Sequence, residues 1–205
     1  MGWWRLDEKT SGILTPNPYD TVVPTMTSNT TPSGVASASS EYSSSYEAWK
    51  AFSFSATSWA STVADMPDVW LKYDFGSGVT KTVKCYIIQS HQSVPTCNPK
   101  NWTFEGSNNG SDWTILDTQT NITAWDTAEF FSFPILNSTA YRYYRLNISA
   151  NNGYAVTHVK NLQLLEYNVV GAVRDLSGNG NHGTPYNAPV YQASPHRLRR
   201  GVLVS

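Results

Sequence analysis

The stretch that decides the fold is Val69-Trp70-Leu71-Lys72-Tyr73-Asp74-Phe75, followed by Gly76-Ser77-Gly78. Large apolar residues at 69, 71, 73 and 75 alternate with Trp, Lys and Asp, which is the period of a β-strand with one face in a core. The two glycines then favour a tight turn. The stretch therefore predicts a half-buried strand that ends in a short connection.

Several other short segments are also predicted to be β-strands. Strands are predicted at residues 83–90, 102–107, 129–133, 144–148 and 162–167. The turn Asn108-Asn109-Gly110 and Pro134 interrupt them, and helical periodicity is confined to residues 47–52. Short strands separated by turn signals are typical of an antiparallel sandwich. The sequence therefore predicts an all-β fold, an antiparallel β-sandwich.

Composition limits the classes of function. The chain has 205 residues, a formal net charge of −1 and only 14% charged residues. It has no basic field that would attract nucleic acid or anionic lipid, and no apolar run of the roughly 18 residues that a membrane span needs. Eight Trp and twelve Tyr are many for this length. They suit β-structure and the flat apolar faces of sugars.

Six segments of the middle of the chain together resemble a known family. They are Ala36-Ser37-Ala38-Ser39-Ser40-Glu41-Tyr42, Lys50-Ala51-Phe52, Trp59-Ala60-Ser61, Trp70-Leu71-Lys72-Tyr73-Asp74-Phe75-Gly76, Pro99-Lys100-Asn101-Trp102-Thr103-Phe104-Glu105-Gly106-Ser107-Asn108-Asn109-Gly110-Ser111-Asp112-Trp113 and Tyr143-Tyr144-Arg145-Leu146. In this order and spacing they resemble the discoidin, or coagulation factor 5/8 C-type, domain, which overlaps with galactose-binding-like carbohydrate-binding modules. The resemblance covers most of residues 33–167.

This resemblance implies where a ligand binds. In the sugar-binding branch of the family, loops at one end of the sandwich meet the ligand, and an aromatic ring stacks on the sugar. Tyr154 in the late loop is the first candidate for that ring, with the amides of Asn151 and Asn152 beside it. Further candidates are His91 and Gln92, and after them Tyr42, Tyr46 and Trp59. The alternative stays open that Tyr154 packs on its own loop and that His91 is only solvated.

The same resemblance raises the question of calcium. The family commonly holds a structural calcium with an Asp after its Lys-Ala-Phe segment and a Glu on the last strand. This chain has Ser53 and Asn161 at those positions. A hard cation prefers charged oxygen ligands. We therefore expect no metal or other cofactor, and at most weak Ca²⁺ binding.

Other conspicuous residues have structural explanations. We expect Trp70, Trp102 and Trp113 to be core residues and Arg145 to form an ion pair or stack on a ring. Trp125 is the one apolar residue that could project from a loop toward lipid, so membrane binding is not expected. Cys85 and Cys97 are the only cysteines, and we expect two free thiols.

The chain shows no pattern of an enzyme. Asp65 and Asp68 flank a proline in a predicted loop, and two carboxylates adjacent in sequence do not make a pair across a glycosidic bond. There is no nucleophile elbow, phosphate loop or dinucleotide fingerprint, and the four histidines lack zinc-ligand spacing. We expect a protein without catalytic activity.

The two ends of the chain resemble a second family. Gly2-Trp3-Trp4-Arg5-Leu6-Asp7-Glu8 and Asp175-Leu176-Ser177-Gly178-Asn179-Gly180-Asn181-His182-Gly183-Thr184 are similar to the opening of a laminin-G-like (concanavalin A-type) jelly roll. We expect residues 1–14 and 169–205 to be two segments of an incomplete jelly roll, residues 15–34 a connector, and residues 35–168 the discoidin-like module. Residues 196–205 resemble a further strand. Either the chain is truncated there or these strands pair with another copy or partner.

These observations predict a non-catalytic module that binds cell-surface or environmental glycans. Residues 1–8 have neither a basic region nor an apolar run and do not resemble a secretion signal. Modules of these two kinds without such a signal fit a phage or virus particle, or an extracellular or cell-surface protein. Expected partners are a glycan and other copies or structural proteins of the same assembly. The alternatives are a structural decoration protein without a sugar ligand and the accessory module of a polysaccharide-degrading enzyme.

Overall fold

The computed structural model describes residues 21–54, 57–63 and 68–166, together with the backbone of residues 196–198. The described strands, in chain order, are β1 (Val35–Ala38), β2 (Trp59–Ala60), β3 (Val69–Asp74), β4 (Cys85–Gln89), β5 (Pro99–Ser107), β6 (Thr114–Gln119), β7 (Phe130–Pro134), β8 (Tyr143–Asn151), β9 (His158–Val159), β10 (Asn161–Leu165) and β11 (His196–Leu198). Two 3-10 helices span Ala48–Phe52 and Pro95–Cys97. None of the helices in these residues is long and apolar enough to cross a membrane.

The strands form two main sheets and one small one. The first has the order β1-β3-β8-β5-β6, the second β10-β4-β7-β11, and the third joins β2 to β9. Every pairing is antiparallel. The prediction of an all-β antiparallel sandwich is therefore confirmed. The short strand His196–Leu198 pairs with β7 at the edge of the second sheet.

Alternation along the strands places the core between the two main sheets. In β3, Val69, Leu71 and Tyr73 are buried, and the residues between them are only partly buried. β8 follows the same rule with Tyr144, Leu146 and Ile148. The strand-forming pattern is therefore the same pattern that selects the inward face of each strand.

A network of aromatic residues joins the sheets through the core. The Tyr86 ring of β4 stacks on Phe104 of β5, with ring centroids 4.3 Å apart, and on Phe133 of β7 at 4.9 Å. Its hydroxyl donates to Asp117 at 2.6 Å and accepts the Trp102 indole N–H at 2.9 Å. Burial raises the pKa of the Tyr86 phenol. The network combines apolar burial with satisfied polar groups, as a stable interior requires.

Two of the three tryptophans expected in the core lie elsewhere. Trp102 is buried as predicted, but Trp70 and Trp113 are only partly buried, so that part of the prediction is wrong. Lys72 Nζ lies 5.0 Å from the centre of the Trp70 ring, and the Arg145 guanidinium lies 4.1 Å from that of Trp113. Both rings therefore pack under cationic side chains on the outer face of the first sheet.

Three smaller expectations can also be compared with the structure. Trp125 is 5% exposed and its indole donates to Pro99 O at 2.8 Å, so it is a buried residue and not a projecting one. Arg145 pairs with Glu105 and stacks on Trp113, as expected. Cys85 and Cys97 are free thiols, which confirms that prediction. Asp65 and the two segments predicted to be laminin-G-like, residues 1–14 and 169–205, lie outside the described residues, except for the backbone of residues 196–198.

Candidate functional site

A groove of about 280 Å³ opens between the loop that precedes the first 3-10 helix and the loop that joins β8 to β9. Its lining residues are Tyr42, Tyr46, Val63, Tyr154, Ala155, Val156 and His158. We call it the loop groove. Tyrosine contributes three of these residues, and a histidine supplies a further polar group.

The aromatic rings of the loop groove are unusually accessible. Tyr42 is 57% exposed and Tyr154 is 47% exposed, whereas the aromatic residues of the core are almost fully buried. Tyr42 meets Tyr46 edge to face with centroids 5.9 Å apart, and Tyr46 meets His158 in the same way at 5.5 Å. Exposed rings of this kind are surfaces on which a flat apolar ligand face can stack.

The small sheet holds one wall of the groove in place. The Tyr42 N–H donates to Ala60 O at 2.9 Å, and the Ala60 N–H donates to Tyr46 O at 3.3 Å. Ala60 in turn is paired with His158 in the β2–β9 register. The loop that contains the two tyrosines is therefore bonded to the strand pair that contains the histidine.

The other wall is a loop shaped by its own polar side chains. The Asn151 amide donates to Tyr154 O at 2.8 Å and to Val156 O at 3.0 Å, and its oxygen accepts the Gly153 N–H at 2.9 Å. Gly153 has φ of 101°, in the region that favours glycine. These bonds fix the position from which the Tyr154 ring projects.

Asn152 ties this loop to the rest of the sandwich. Its side-chain N–H groups lie within 3.1–3.2 Å of three backbone oxygens, those of Asn98, Pro99 and Ile122. The Asn98 side chain in turn accepts the backbone N–H of His91 at 2.9 Å. Asn152 therefore supports the groove from behind and uses its donors in doing so.

The histidine of the groove is neutral at neutral pH. His158 is 8% exposed, and its Nδ1 lies 2.9 Å from Ser58 Oγ. Burial, with a smaller contribution from His91, lowers the pKa of His158 to about 4. The described residues that line the groove are thus all uncharged under ordinary conditions.

The predicted ligand residues divide into several groups. Tyr154 and Tyr42 line the loop groove, whereas Asn151 and Asn152 hold its wall. The ring of His91 packs against that of His158 with centroids 4.9 Å apart. Gln92 is exposed in the loop that follows β4.

Trp59 is 0% exposed, and its indole donates to Ser40 O at 2.9 Å, so its ring offers no surface to a ligand in this conformation.

The sequence did not single out His158, Val63, Ala155 or Val156, and Tyr42 and Tyr46 rank low among its candidates. His158 is separated by more than a hundred residues from Tyr46, whose ring it meets, and the β2–β9 pairing involves only two residues per strand. A strand that short gives no periodic signal. Only the folded chain shows that these residues share a groove.

A second concavity lies on the outer face of the first sheet. It measures about 250 Å³ and is lined by Asn101, Trp102, Thr103, Thr118, Gln119, Thr120, Asn147 and Ser149. We call it the sheet depression. Its single aromatic residue, Trp102, is only 2% exposed. The accessible lining therefore consists of amides and hydroxyls.

The positions implied for calcium offer few ligands. Ser53 Oγ donates to Lys50 O at 2.8 Å. The Asn161 side chain is buried, and its amide has no hydrogen-bond partner among the described residues. One orphaned neutral oxygen falls well short of the six to eight oxygen ligands, several of them charged, that Ca²⁺ takes. This donor set does not fit a tight calcium site.

Comparison with known proteins identifies the fold family. The family model of the F5/8 type C domain matches residues 35–162. No curated protein sequence matches the chain. Three similar solved structures are carbohydrate-binding modules, and each covers 64% of this chain.

The first of these structures is CpGH89CBM32-5 from Clostridium perfringens in complex with GalNAc-β-1,3-galactose, with 13% identity, a TM-score of 0.56 and 94% of that chain covered. The family 32 module of NanJ from C. perfringens, in complex with galactose, has 16% identity, a TM-score of 0.54 and 92% covered. Chitosan-binding module 1 of a chitosanase/glucanase from Paenibacillus sp. IK-5 has 19% identity, a TM-score of 0.54 and 93% covered. At such identities the likeness concerns the fold. The match over residues 35–162 shows that the chain belongs to the F5/8 type C domain family.

Proposed function

We propose that this protein is a non-catalytic carbohydrate-binding module whose ligand binds in the loop groove. The observation on which the proposal depends is the pair of exposed tyrosine rings, Tyr42 and Tyr154, on opposite walls of one groove. Sugar rings present apolar C–H faces that stack on such side chains, and their hydroxyls need polar partners nearby. The Tyr46 hydroxyl and the neutral imidazole of His158 are those partners.

The chemistry of the lining favours a neutral sugar. Its described residues include no carboxylate and no cation, and His158 has a pKa of about 4 because it is buried. An anionic sugar would lose its hydration without gaining an opposite charge. Relatives of the same fold, solved with galactose and with GalNAc-β-1,3-galactose, are consistent with this ligand class.

Each remaining candidate has a defined role in this proposal. Asn151 and Asn152 position Tyr154, and Trp59 anchors β2 from within the core. His91 supports His158 from behind. Gln92, exposed in the neighbouring loop, is a peripheral contact for a longer glycan. Calcium is not required.

Single-site affinity is expected to be weak, because a shallow groove with two stacking rings buries little of a sugar. Dissociation constants of about 10⁻⁶ to 10⁻³ M would be typical, and repeated copies would then supply avidity. The module would attach a larger assembly to a polysaccharide or a cell surface. We place that assembly in a phage or virus particle or on an extracellular surface, with residues 1–14 and 169–205 forming laminin-G-like segments around the module.

Two alternatives follow from other observations. Trp70, Trp113 and Ile115 leave apolar surface on the outer face of the first sheet, Ile115 being 60% exposed, and this face would suit a structural role in an assembly without any sugar. The similar module from a chitosanase/glucanase favours instead an accessory role beside a polysaccharide-degrading domain.

The test is a glycan-array screen of the full chain, displayed in many copies on a bead or scaffold. Tyr154→Ala and Tyr42→Ala should each abolish or strongly weaken the signal. The matched control is Tyr143→Ala, because Tyr143 is a partly buried tyrosine on the outer face of the first sheet, beside Trp113. It should keep full binding. Binding that survives both groove variants, or no binding across a broad array, would contradict the proposal and favour the structural role.

A further inference from the structure

Three metal-ligating side chains meet beside the loop groove. His91 comes from the loop after β4, Cys97 ends the second 3-10 helix, and His158 belongs to β9. The ligand atoms of the three side chains lie within 4.8 Å of one another. Zinc bound to nitrogen and sulfur at its usual bond lengths holds such atoms roughly 3.5 Å apart, so a contraction of about 1 Å would complete the geometry.

The donor set indicates the class of ion. Two imidazole nitrogens and one sulfur are the ligands that Zn²⁺ and other thiophilic cations select, whereas Ca²⁺ and Mg²⁺ select oxygen. Burial lowers the pKa of both imidazoles, that of His158 to about 4. A neutral imidazole has one nitrogen that carries the proton and one that accepts, so each ring can offer one nitrogen to a cation.

The surroundings orient two of the three ligands. Nδ1 of His158 lies 2.9 Å from Ser58 Oγ. In the tautomer in which Nδ1 donates its proton to Ser58 Oγ, Nε2 has the lone pair that binds a cation. The Cys97 thiol donates to Val94 O at 2.8 Å, a bond that cation binding replaces. The backbone N–H groups of Cys97 and His158 also face the sulfur and would stabilise a thiolate. Supporting hydrogen bonds of this kind are characteristic of metal ligands.

His91 has to change its hydrogen bonding to take part. Its Nδ1 accepts the backbone N–H groups of Val94 at 3.1 Å and Ser93 at 3.3 Å, which places the ring proton on Nε2. For Nε2 to bind a cation, the ring proton has to move to Nδ1, which then no longer accepts from the two amides. Alternatively, Nδ1 leaves the two amides and binds the cation itself, and Nε2 keeps its proton. The neighbouring ammonium group of Lys160, which contributes to the lowered pKa of His91, opposes cation binding.

We propose that His91, Cys97 and His158 form a site for a thiophilic divalent cation such as Zn²⁺. Binding releases the Cys97 thiol proton to solvent, and the resulting Cys97 thiolate is the charged ligand. Water, or a ligand that enters from the loop groove, fills the remaining coordination position, because His158 also lines that groove.

The test is a Co²⁺ titration of the metal-free full chain, followed by displacement with Zn²⁺, in the absence of any sugar. We expect one Co²⁺ per chain with the near-ultraviolet absorption of a thiolate–cobalt bond, and loss of that absorption in Cys97→Ser. His91→Gln and His158→Gln should each weaken Co²⁺ binding by more than the roughly 10- to 100-fold that loss of a supporting hydrogen bond costs. Cys85→Ser, which removes the other buried thiol, is the matched control and should bind as the wild type does.

A second measurement requires no variant. Zn²⁺ should raise the thermal unfolding midpoint of the wild-type chain, because a ligand that binds only the folded state stabilises it. The proposal fails if folded wild type shows no thiolate–cobalt absorption, or if Cys85→Ser removes it. It also fails if a variant with all three ligands replaced binds Co²⁺ as tightly as the wild type. None of these results depends on whether the groove binds a glycan.

Discussion

The loop groove and the sheet depression have nearly the same volume, about 280 and 250 Å³, but they expose different chemistry. The groove exposes the rings of Tyr42 and Tyr154, whereas the one aromatic residue of the depression, Trp102, is 2% exposed. Size alone would not choose between them. The exposed fraction of an aromatic ring, and not its presence in a lining, is the difference on which we base the proposed binding site.

The partners of the rings explain the difference. The Trp102 indole is bonded to Tyr86, and its ring packs against Phe133 at a centroid distance of 5.3 Å and against Trp125 at 6.1 Å. Tyr154 is held through the backbone of its loop, so its ring is left free. Trp102 therefore contributes to folding, and Tyr154 is available to a ligand.

The largest expected effect is that of Trp102→Ala. Removing this ring empties part of the core and leaves the Tyr86 hydroxyl without its indole donor, so unfolding free energy should fall by about 3–5 kcal/mol. Urea unfolding followed by circular dichroism measures the change. Trp102→Phe, which keeps a ring, should lose less. If Trp102→Ala were as stable as the wild type, the Trp102 ring would be as unimportant for folding as the exposed Tyr154 ring is expected to be.

An intermediate effect is expected for Asn152→Ala. The substitution removes the side-chain donor of three backbone oxygens. Pro99 O keeps the Trp125 indole and Asn98 O keeps the Asn152 backbone N–H, so the loss falls mainly on Ile122 O. We expect it to cost about 1–3 kcal/mol of stability and to weaken sugar binding through movement of the loop. Asn147→Ala in the sheet depression is the control, since the Asn147 amide makes a single 3.3 Å bond to Glu105. Unfolding and glycan binding are measured on both variants. A larger loss of sugar binding in Asn147→Ala than in Asn152→Ala would indicate that the sugar binds in the sheet depression and not in the loop groove.

A smaller effect, on affinity alone, is expected for Tyr154. Tyr154→Phe keeps the stacking ring and should retain most of the affinity, whereas Tyr154→Ala should lower it at least about fivefold, or ~1 kcal/mol. Stability should change by less than about 0.5 kcal/mol, because the side chain is half exposed. Titration calorimetry with a sugar identified by the array measures both variants. A loss in Tyr154→Phe as large as in Tyr154→Ala would mean that the hydroxyl, and not the ring, binds the sugar.

The smallest effect is expected for Thr118→Ala. Thr118 is exposed in the sheet depression, so neither stability nor sugar affinity should change measurably. The same calorimetric titration applies. A loss of sugar affinity in this variant would indicate that the depression is part of the binding site.

Much of the sandwich could be predicted from local patterns. Strand β3 was predicted from a two-residue alternation that the burial of Val69, Leu71 and Tyr73 reproduces. The same alternation assigns Trp70 to the outer face, and the expectation of a buried Trp70 is wrong because the two-residue period, and not residue type, decides which face a strand residue occupies. Trp125 is the opposite case, because it was expected to be the residue that could project from a loop and is instead buried. Its indole N–H donates to the carbonyl oxygen of Pro99, which allows the side chain to pack against the core.

The candidate site could be predicted only in part. Tyr154 is the first candidate because a late loop of this family often carries the stacking aromatic residue, whereas Tyr42 ranks with Tyr46 and Trp59 among the last candidates. The meeting of Tyr46 with His158, and of His91 with Cys97 and His158, depends on chain segments far apart in sequence. No spacing rule reveals such contacts, because they arise from the pairing of β2 with β9 and from the packing of two loops.

The central claim is that a sugar binds in the loop groove. The most direct measurement is a crystal structure of the full chain in complex with the sugar that gives the strongest array signal. We expect the sugar ring to lie against Tyr154 or Tyr42, with hydroxyls close to Tyr46 and His158. A sugar found in the sheet depression, beside Asn101, Gln119 and Asn147, with the loop groove empty, would contradict the account.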